Sequence, residues 1–254
     1  MRIHNRRRPG RNALHVAEET ARATSEGAPL TVENVRHPDT FVLVLVMLIA
    51  TIGATMGLPE TAWARGVIVA LQSATVLLAG RVSGMRARSL RLLAAIVVGT
   101  LAVSLLGILV DSELATGATR FLGTLLVLLG PVCVVHGLRR QRSVNREVIA
   151  AALCIYLFIG LAFASLYQGM QDVADEPFFS NGQTATMSDS TYFSFVTLAT
   201  VGYGDYTAAG KAGRSFAVLE ALLGQLYLVT VVALVVSNVG REVRPRRPLD
   251  PPAP

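Results

Sequence analysis

The sequence predicts an all-α membrane protein with six transmembrane helices and a re-entrant helix between the fifth and the sixth. Of its 254 residues, 52% are hydrophobic and only 16% are charged, whereas soluble domains carry about 25% charged residues. The mean hydropathy is +0.50. The charges fall in short stretches that separate apolar runs long enough to cross a bilayer, which takes about 20 residues of helix.

The six predicted spans are the runs that contain no charged residue. The second is the weakest, because only a short run lies between Arg65 and Arg81, and its ends must rely on arginines that reach the interface. Pro131 predicts a kink in the fourth. The spans are Phe41–Leu58, Gly66–Gly80, Leu92–Val110, Phe121–Leu138, Val148–Gln168 and Ser215–Val239.

The arginines predict the orientation of these spans. They concentrate in both terminal tails and in alternate loops, and six spans place all of these segments on one side. That side is expected to be the cytoplasm, with both termini inside. The basic loop residues are Arg81, Arg86, Arg88, Arg91, Arg139, Arg140, Arg142 and Arg146, and the acidic residues Glu60, Asp111, Glu113, Asp172, Asp175 and Glu176 occupy the other loops.

The segment from Met170 to Arg214 does not fit a simple loop. It begins acidic, becomes apolar and then turns rich in glycine. A helix over Thr191–Ala199, capped by Asp189 or Ser190, is too short to cross. A short helix followed by glycines between two full spans is typical of a re-entrant loop, which requires surrounding protein or a water-filled path.

The residues after this helix suit the passage of a dehydrated cation. An extended segment offers a ring of carbonyl oxygens per residue if its backbone alternates between right- and left-handed regions, and Gly202 and Gly204 adopt the second at little steric cost. Val201 and Tyr203 then direct their side chains into supporting protein. The residues are Thr200, Val201, Gly202, Tyr203 and Gly204, with Asp205 at the outer mouth.

One such segment cannot surround an ion, and the chain has only one. Completing each oxygen ring takes four copies, so the sequence predicts a C4 homotetramer. Thr200 adds its hydroxyl as a further oxygen. The carboxyl end of the preceding helix points inward, where its partial negative charge favours a cation.

The stretch Thr191-Tyr-Phe-Ser-Phe-Val-Thr-Leu-Ala-Thr-Val-Gly-Tyr-Gly-Asp205 resembles the pore helix and selectivity filter of the potassium channel family. The resemblance covers roughly Val148–Gly240. It implies passive K⁺ conduction, with K⁺ as the permeant ion at residues 200–203 and no other cofactor. The expected domains are a disordered cytoplasmic tail over 1–38, a four-helix scaffold over 39–138, a basic linker over 139–147, the pore module over 148–240 and a disordered tail over 241–254.

The resemblance also assigns supporting roles. Tyr192 and Phe193 match aromatics that brace the filter tyrosine, with simple interfacial aromatics as the alternative. Val196 occupies a position where some channels have a glutamate. Glu220, a carboxylate in a membrane span, either supports the filter from behind or makes a structural hydrogen bond to the pore helix. Gly224 matches a hinge glycine, but a glycine also permits close helix contact.

Helical spacing in the last span predicts a stripe that lines the cavity and gate, although the same spacing suits lipid-facing or core positions. The stripe is Gln225, Leu228, Val232 and Val236. Voltage sensing requires several arginines inside one span, and Phe121–Leu138 has none. Strong voltage gating is therefore not expected, and the stimulus stays open between pH, membrane tension and an anionic lipid at the cytoplasmic arginines.

Other functional classes compete with this interpretation. A receptor or scaffold that uses the module only for assembly would not need the filter glycines, and active K⁺ uptake proteins carry four pore loops in one chain. The two cysteines and four histidines show no ligand spacing, and no catalytic constellation indicates an enzyme. Nucleic-acid binding is not expected, because the arginines flank membrane spans. A non-selective cation pore is the nearest rival. The Arg, Ala, Val and Leu bias points to a bacterial source.

Overall fold

The structure is a computed structural model that describes residues 40–110, 113–139 and 146–242, without the side chains of residues 40, 113–116 and 235–242. The described residues form seven α-helices and one isolated β-bridge, between Phe179 and Ala208. The helices are α1 (Thr40–Gly57), α2 (Ala62–Val82), α3 (Ala87–Val110), α4 (Glu113–Leu138), α5 (Arg146–Val173), α6 (Met187–Leu198) and α7 (Lys211–Glu242). The predicted disordered tail over 1–38 and residues 243–254 of the second predicted tail lie outside this part of the chain, but residues 241 and 242 continue α7, so the start of the second tail was predicted wrongly.

Five of these helices are long and apolar enough to span a membrane: α2, α3, α4, α5 and α7. The first predicted span, Phe41–Leu58, corresponds to α1, whose apolar part Phe41–Gly57 is shorter than the other five. Threonines inside the helices donate to the carbonyl four residues earlier, as Thr51, Thr75 and Thr100 do. This satisfies their hydroxyls where no water is available.

The second span is longer than its uncharged run. It extends over 21 residues, with Arg65 and Arg81 inside the helix. The prediction that the loop arginines lie outside crossing helices was therefore wrong for four of them. Arg81 is in the last turn of α2, Arg88 and Arg91 are in the first turns of α3, and Arg146 begins α5. All four are exposed, because a long side chain at a helix end can carry its charge to water while the backbone stays helical.

The fourth helix also starts earlier than predicted, at Glu113, and it includes Arg120 and Pro131. Arg120 lies near its beginning, where the guanidinium pairs with Asp172 of α5 at 2.6 Å. No arginine occurs between residues 121 and 138, so α4 carries no charge along most of its length.

The contacts between helix ends show which ends share a side. At one side, the start of α1 meets the ends of α2 and α4, since Phe41 and Ser83 both border Gly137. There the Phe41 N–H donates to the Glu147 carboxylate at the start of α5, at 2.8 Å. At the other side, Ser188 at the start of α6 reaches the Met56 carbonyl at the end of α1.

The apolar core joins the first helices to α5. Val44 and Leu48 of α1, Val76 of α2, Leu126 of α4 and Phe158 of α5 are all buried in one cluster. The Phe158 ring lies directly against the backbone of Gly130, leaving no room for a side chain there. The scaffold is thus packed on the outer helix of the final module and positions it.

Candidate functional site

The short helix α6 begins at a defined cap. Thr186 is the N-cap, and its hydroxyl accepts from the Asp189 N–H at 3.1 Å while the Asp189 carboxylate accepts from the Thr186 N–H at 3.3 Å. This reciprocal capping box satisfies two donors at the helix start. The predicted cap at Asp189 or Ser190 was wrong by one turn, because the helix starts four residues before Thr191.

The backbone alternates after α6 as the glycine pattern predicts. Gly202 has a φ of 58° and Gly204 a φ of 82°. Thr200 has a φ of 55°, and it is the sole non-glycine residue with positive φ in the described part of the chain. A β-branched residue in this region is strained, and such strain clusters at functional sites. Left-handed conformations therefore occur at every second residue from Thr200 to Gly204. The sequence predicted them at the two glycines and did not predict the one at Thr200.

The extended segment is tied to the end of α6 through backbone groups. The Val196 carbonyl accepts from the N–H groups of Val201 at 2.9 Å and Gly202 at 3.4 Å, and the Thr200 N–H donates to the Thr197 carbonyl at 2.9 Å. Val196 thus supports the segment with its carbonyl oxygen, whereas a glutamate at this position would act through its side chain.

The side chains of the segment are not covered within one chain. Val201 is 51% exposed and Tyr203 71% exposed, so the described residues of this chain do not provide the supporting protein predicted around them. Gly202 and Gly204, which have no side chains to cover their backbone, are exposed as well. The local backbone is formed, but its lateral support must come from elsewhere.

Asp205 is held by hydrogen bonds at the outer end of the segment. Its carboxylate accepts from the Tyr192 hydroxyl at 2.8 Å and from the Tyr206 N–H at 3.0 Å. The hydrogen bond to Asp205 raises the pKa of Tyr192, because losing the proton would break the bond and place two negative charges together. Tyr192 therefore contacts Asp205, and it stacks edge-on against Tyr206.

Phe193 takes part in a buried aromatic cluster behind α6. Its ring lies 5.0 Å from Tyr167 and 5.6 Å from Phe179, both in edge-to-face geometry, and Phe178 joins the same group. Among the described residues, no ring pair includes Tyr203. Phe193 thus braces the helix before the filter segment rather than its tyrosine within one chain.

Glu220 is completely buried where α5, α6 and α7 meet. One carboxyl oxygen lies 2.6 Å from the Tyr167 hydroxyl and the other 2.5 Å from the Ser194 hydroxyl. Ser194 also lies 2.7 Å from the Gly160 carbonyl. Of the two roles considered for Glu220, the structural hydrogen bond is present, and it joins Glu220 to α6. Sequence reasoning missed Tyr167 and Ser194, since nothing in a linear pattern relates them to Glu220.

Gly224 lies against the last residue of α6. A methyl group on Gly224 would collide with the Leu198 carbonyl oxygen and approach its Cδ1 to 2.9 Å. The structure therefore provides the close contact that was the alternative to a hinge, and α7 runs through Gly224 without interruption. The Tyr156 hydroxyl of α5 lies 3.2 Å from the same carbonyl, and its ring stacks with Tyr227 of α7 at 5.9 Å.

The predicted cavity stripe lies on an uncovered face of α7. Leu228 is 37% exposed and Val232 58% exposed, and Gln225 is exposed as well. The side chain of Val236 lies outside the described residues. Gln225, Leu228 and Val232 are therefore not buried in the core of a single chain. Their exposure is compatible with a cavity, with a contact to another chain or with lipid.

Comparison with known proteins places this site in a family. A family profile described as "Ion channel" matches residues 151–241, which begins and ends within three residues of the expected pore module. Protein LctB from Bacillus caldotenax is 32% identical over 120 residues, which covers 44% of this chain and 89% of that protein.

Two relatives carry potassium channel names. The inward rectifier potassium channel Kirbac3.1 from Paramagnetospirillum magnetotacticum is 31% identical over 87 residues, or 34% of this chain and 28% of that protein. Two pore potassium channel c from Oryza sativa subsp. japonica is 34% identical over 87 residues, or 34% of this chain and 18% of that protein. The chain thus spans under a third of each of these two, and both they and the matching family profile are described as ion channels, which are not enzymes. This chain belongs to the potassium channel family.

Proposed function

We propose that this chain is one subunit of a K⁺-selective channel that conducts K⁺ passively, with Thr200–Gly204 as its selectivity filter. The observation that carries the proposal is the left-handed φ at Thr200, Gly202 and Gly204. Alternation of this kind turns successive carbonyls to one side of the strand, and such carbonyls replace the hydration shell of K⁺. The ion sites are then built from the carbonyls of residues 200–203 and the Thr200 hydroxyl.

A homotetramer completes the filter. One strand supplies a single oxygen to each ring, so an ion needs further copies around an axis. The exposure of Val201 and Tyr203 supports this arrangement, because neighbouring subunits would cover side chains that one chain leaves bare. The uncovered apolar face of α7, which includes Leu226 and Val229, offers a further surface for the same assembly.

The electrostatics of the site favour a cation on both sides of the filter. The carboxyl end of α6 leads directly into Thr200, and helix carbonyls at that end carry partial negative charge. Asp205 places a carboxylate at the outer end, where it raises the local cation concentration. Both groups are positioned by contacts within the chain, at Leu198 and at Tyr192 respectively.

The channel lies in the cell membrane of a bacterium with both termini in the cytoplasm. Exposed arginines at the ends of α2, α3 and α4 support this orientation, because basic residues remain inside. They surround the side where Phe41 meets Glu147, and the same side is suited to anionic lipid. Arg139 is exposed there, while Arg140 and Arg142 of the same predicted loop lie outside the described residues.

The first four helices act as a scaffold and do not sense voltage strongly. A gating helix needs several charges inside the field. Between residues 121 and 138, α4 has none, and its Arg120 is paired near the helix start.

The reversal potential of purified protein in a planar bilayer, with K⁺ on one side and Na⁺ on the other, tests the function. A value near the K⁺ equilibrium potential is expected. Gly202→Ala should abolish selectivity while the tetramer stays intact, because an alanine at positive φ costs about 1–2 kcal/mol and displaces the carbonyls. Gly210→Ala is the matched control, since Gly210 has ordinary φ and open space around it.

The outcomes separate the alternatives. A reversal potential near zero for the unmodified protein would replace K⁺ selectivity with a non-selective cation pore. Selective currents that survive Gly202→Ala would remove the filter from residues 200–204. Equal loss in Gly202→Ala and Gly210→Ala would point to general damage to the outer loop.

A further inference from the structure

We propose that Glu220 is a neutral carboxylic acid that donates its proton to Ser194, and that this hydrogen bond positions the pore helix under the filter. The inference deepens the proposed function and rests on it only where the filter is concerned. It concerns a positioning residue, since Glu220 does not touch the conduction path within the chain.

Glu220 lies in a row of closely spaced oxygen atoms. Three oxygen–oxygen contacts form a chain: Tyr167 to Glu220, Glu220 to Ser194, and Ser194 to the Gly160 carbonyl. Each contact at hydrogen-bond distance needs one proton between its two oxygens.

The available protons then decide the state of the carboxyl. The Gly160 carbonyl brings none, and the Tyr167 and Ser194 hydroxyls bring one each. Two protons cannot serve three contacts. If Glu220 carries the third, then Tyr167 donates to Glu220, Glu220 donates to Ser194, and Ser194 donates to Gly160. All three contacts are satisfied only with a protonated carboxyl.

The surroundings agree with a neutral group. Within the chain, α7 packs on α5 and α6. The titratable groups of α5 on the side of Glu220 are Tyr167, which contacts it, and Tyr156, eleven residues earlier in the same helix. From α6 it faces Ser194. Among described residues, the one ion pair joins Arg120 to Asp172, so no cation is paired with Glu220. A buried carboxylate without a cation is expensive, whereas a hydrogen-bonded acid is not.

The hydrogen bond has a direct route to the filter. Ser194 is two residues before Val196, whose carbonyl holds the Val201 and Gly202 N–H groups. If Glu220 loses its proton, Ser194 must give up either Glu220 or Gly160, and α6 loses one of its ties to α7 or α5. Alkaline pH is therefore expected to loosen the filter support through this one group.

The isosteric variant Glu220→Gln provides the test. A glutamine amide reproduces the neutral acid, since its oxygen accepts from Tyr167 and its NH₂ donates to Ser194. The midpoint of thermal denaturation of the Glu220→Gln tetramer should lie within about 2 °C of the unmodified protein at neutral pH. On going to alkaline pH, the unmodified protein should lose stability and K⁺ selectivity, and Glu220→Gln should keep both.

Infrared spectroscopy reports the protonation state of Glu220 directly, which a measurement of stability does not. The carbonyl stretch of a protonated carboxylic acid should be present in the unmodified protein and absent in Glu220→Gln. Ser194→Ala removes the acceptor and should lower the midpoint by about 2–8 °C. Ser215→Ala should not, because the exposed Ser215 hydroxyl donates to the Lys211 carbonyl of its own helix.

Two results would overturn the inference. One is a carboxylate band for Glu220 at neutral pH. The other is a Glu220→Gln tetramer that is strongly destabilised while its pH profile stays unchanged. The infrared and denaturation measurements need no ion flow, so a failure of K⁺ selectivity would refute the proposed function and leave the assignment of this proton to be judged separately.

Discussion

Replacing Gly224 with alanine tests whether this glycine serves close packing or bending. The added Cβ would overlap the Leu198 carbonyl oxygen and come within 2.9 Å of Leu198 Cδ1. A backbone oxygen at the end of α6 cannot swing away as a flexible side chain can. The Tyr156 hydroxyl at 3.2 Å from the same oxygen restrains it further.

The size of the effect follows from two opposing contributions. Overpacking a tight contact costs about 1–3 kcal/mol, and a clash with backbone belongs in the upper half of that range. Alanine recovers up to about 1 kcal/mol in helix propensity. The net loss is about 1–2 kcal/mol per chain, which lowers the midpoint of thermal denaturation by about 2–8 °C for a chain of this size.

The assay compares thermal denaturation of Gly224→Ala with that of Gly99→Ala in detergent. Gly99 lies inside α3 with nothing within 4 Å of an added Cβ, so its alanine variant should be as stable as the unmodified protein or more stable. A Gly224→Ala midpoint at or above that of the unmodified protein would refute the packing argument. If the open probability then changed as well, the hinge would be the better explanation.

Two further predictions concern polar contacts. The pKa of Tyr192 is raised, so its hydrogen bond to Asp205 is present below the ordinary tyrosine range and is lost only as pH rises through the raised pKa. An ultraviolet titration of Tyr192→Phe should therefore show one fewer late-ionising tyrosine than the unmodified protein. An unchanged titration would contradict the contact. The Arg120–Asp172 pair is exposed, with side-chain exposures of 50% and 33%. Arg120→Gln should therefore lower the free energy of unfolding by less than about 1 kcal/mol, as measured by thermal denaturation. A loss of several times that would show that the pair does more than join two helix ends.

The helices show how far a linear pattern reaches. The uncharged run Leu92–Val110 ends at the same residue as α3, because burial in lipid is decided by local composition. The run Gly66–Gly80 gave too short a helix, since Arg65 and Arg81 interrupt the hydropathy without interrupting the backbone. Helix ends are therefore less predictable than helix centres when arginines can extend to water.

The segment Thr200–Gly204 was likewise predictable only in part. Positive φ at Gly202 and Gly204 was predictable, because glycine is the residue that takes this region without a steric cost. Thr200 has the same conformation against its own preference. In the structure the Thr200 N–H donates to the Thr197 carbonyl, with 2.9 Å between nitrogen and oxygen, and no residue preference predicted that conformation.

By itself, the sequence determined the apolar spans, the short helix and the glycine alternation, because each depends on neighbours within a few residues. The tertiary structure decided which distant groups meet: Ser194 with Glu220, 26 residues apart, and Gly224 with Leu198. Such pairs depend on how α5, α6 and α7 pack, and packing is a property of three helices together. No single segment contains that information, so the sequence alone did not predict the polar contacts that join α5, α6 and α7.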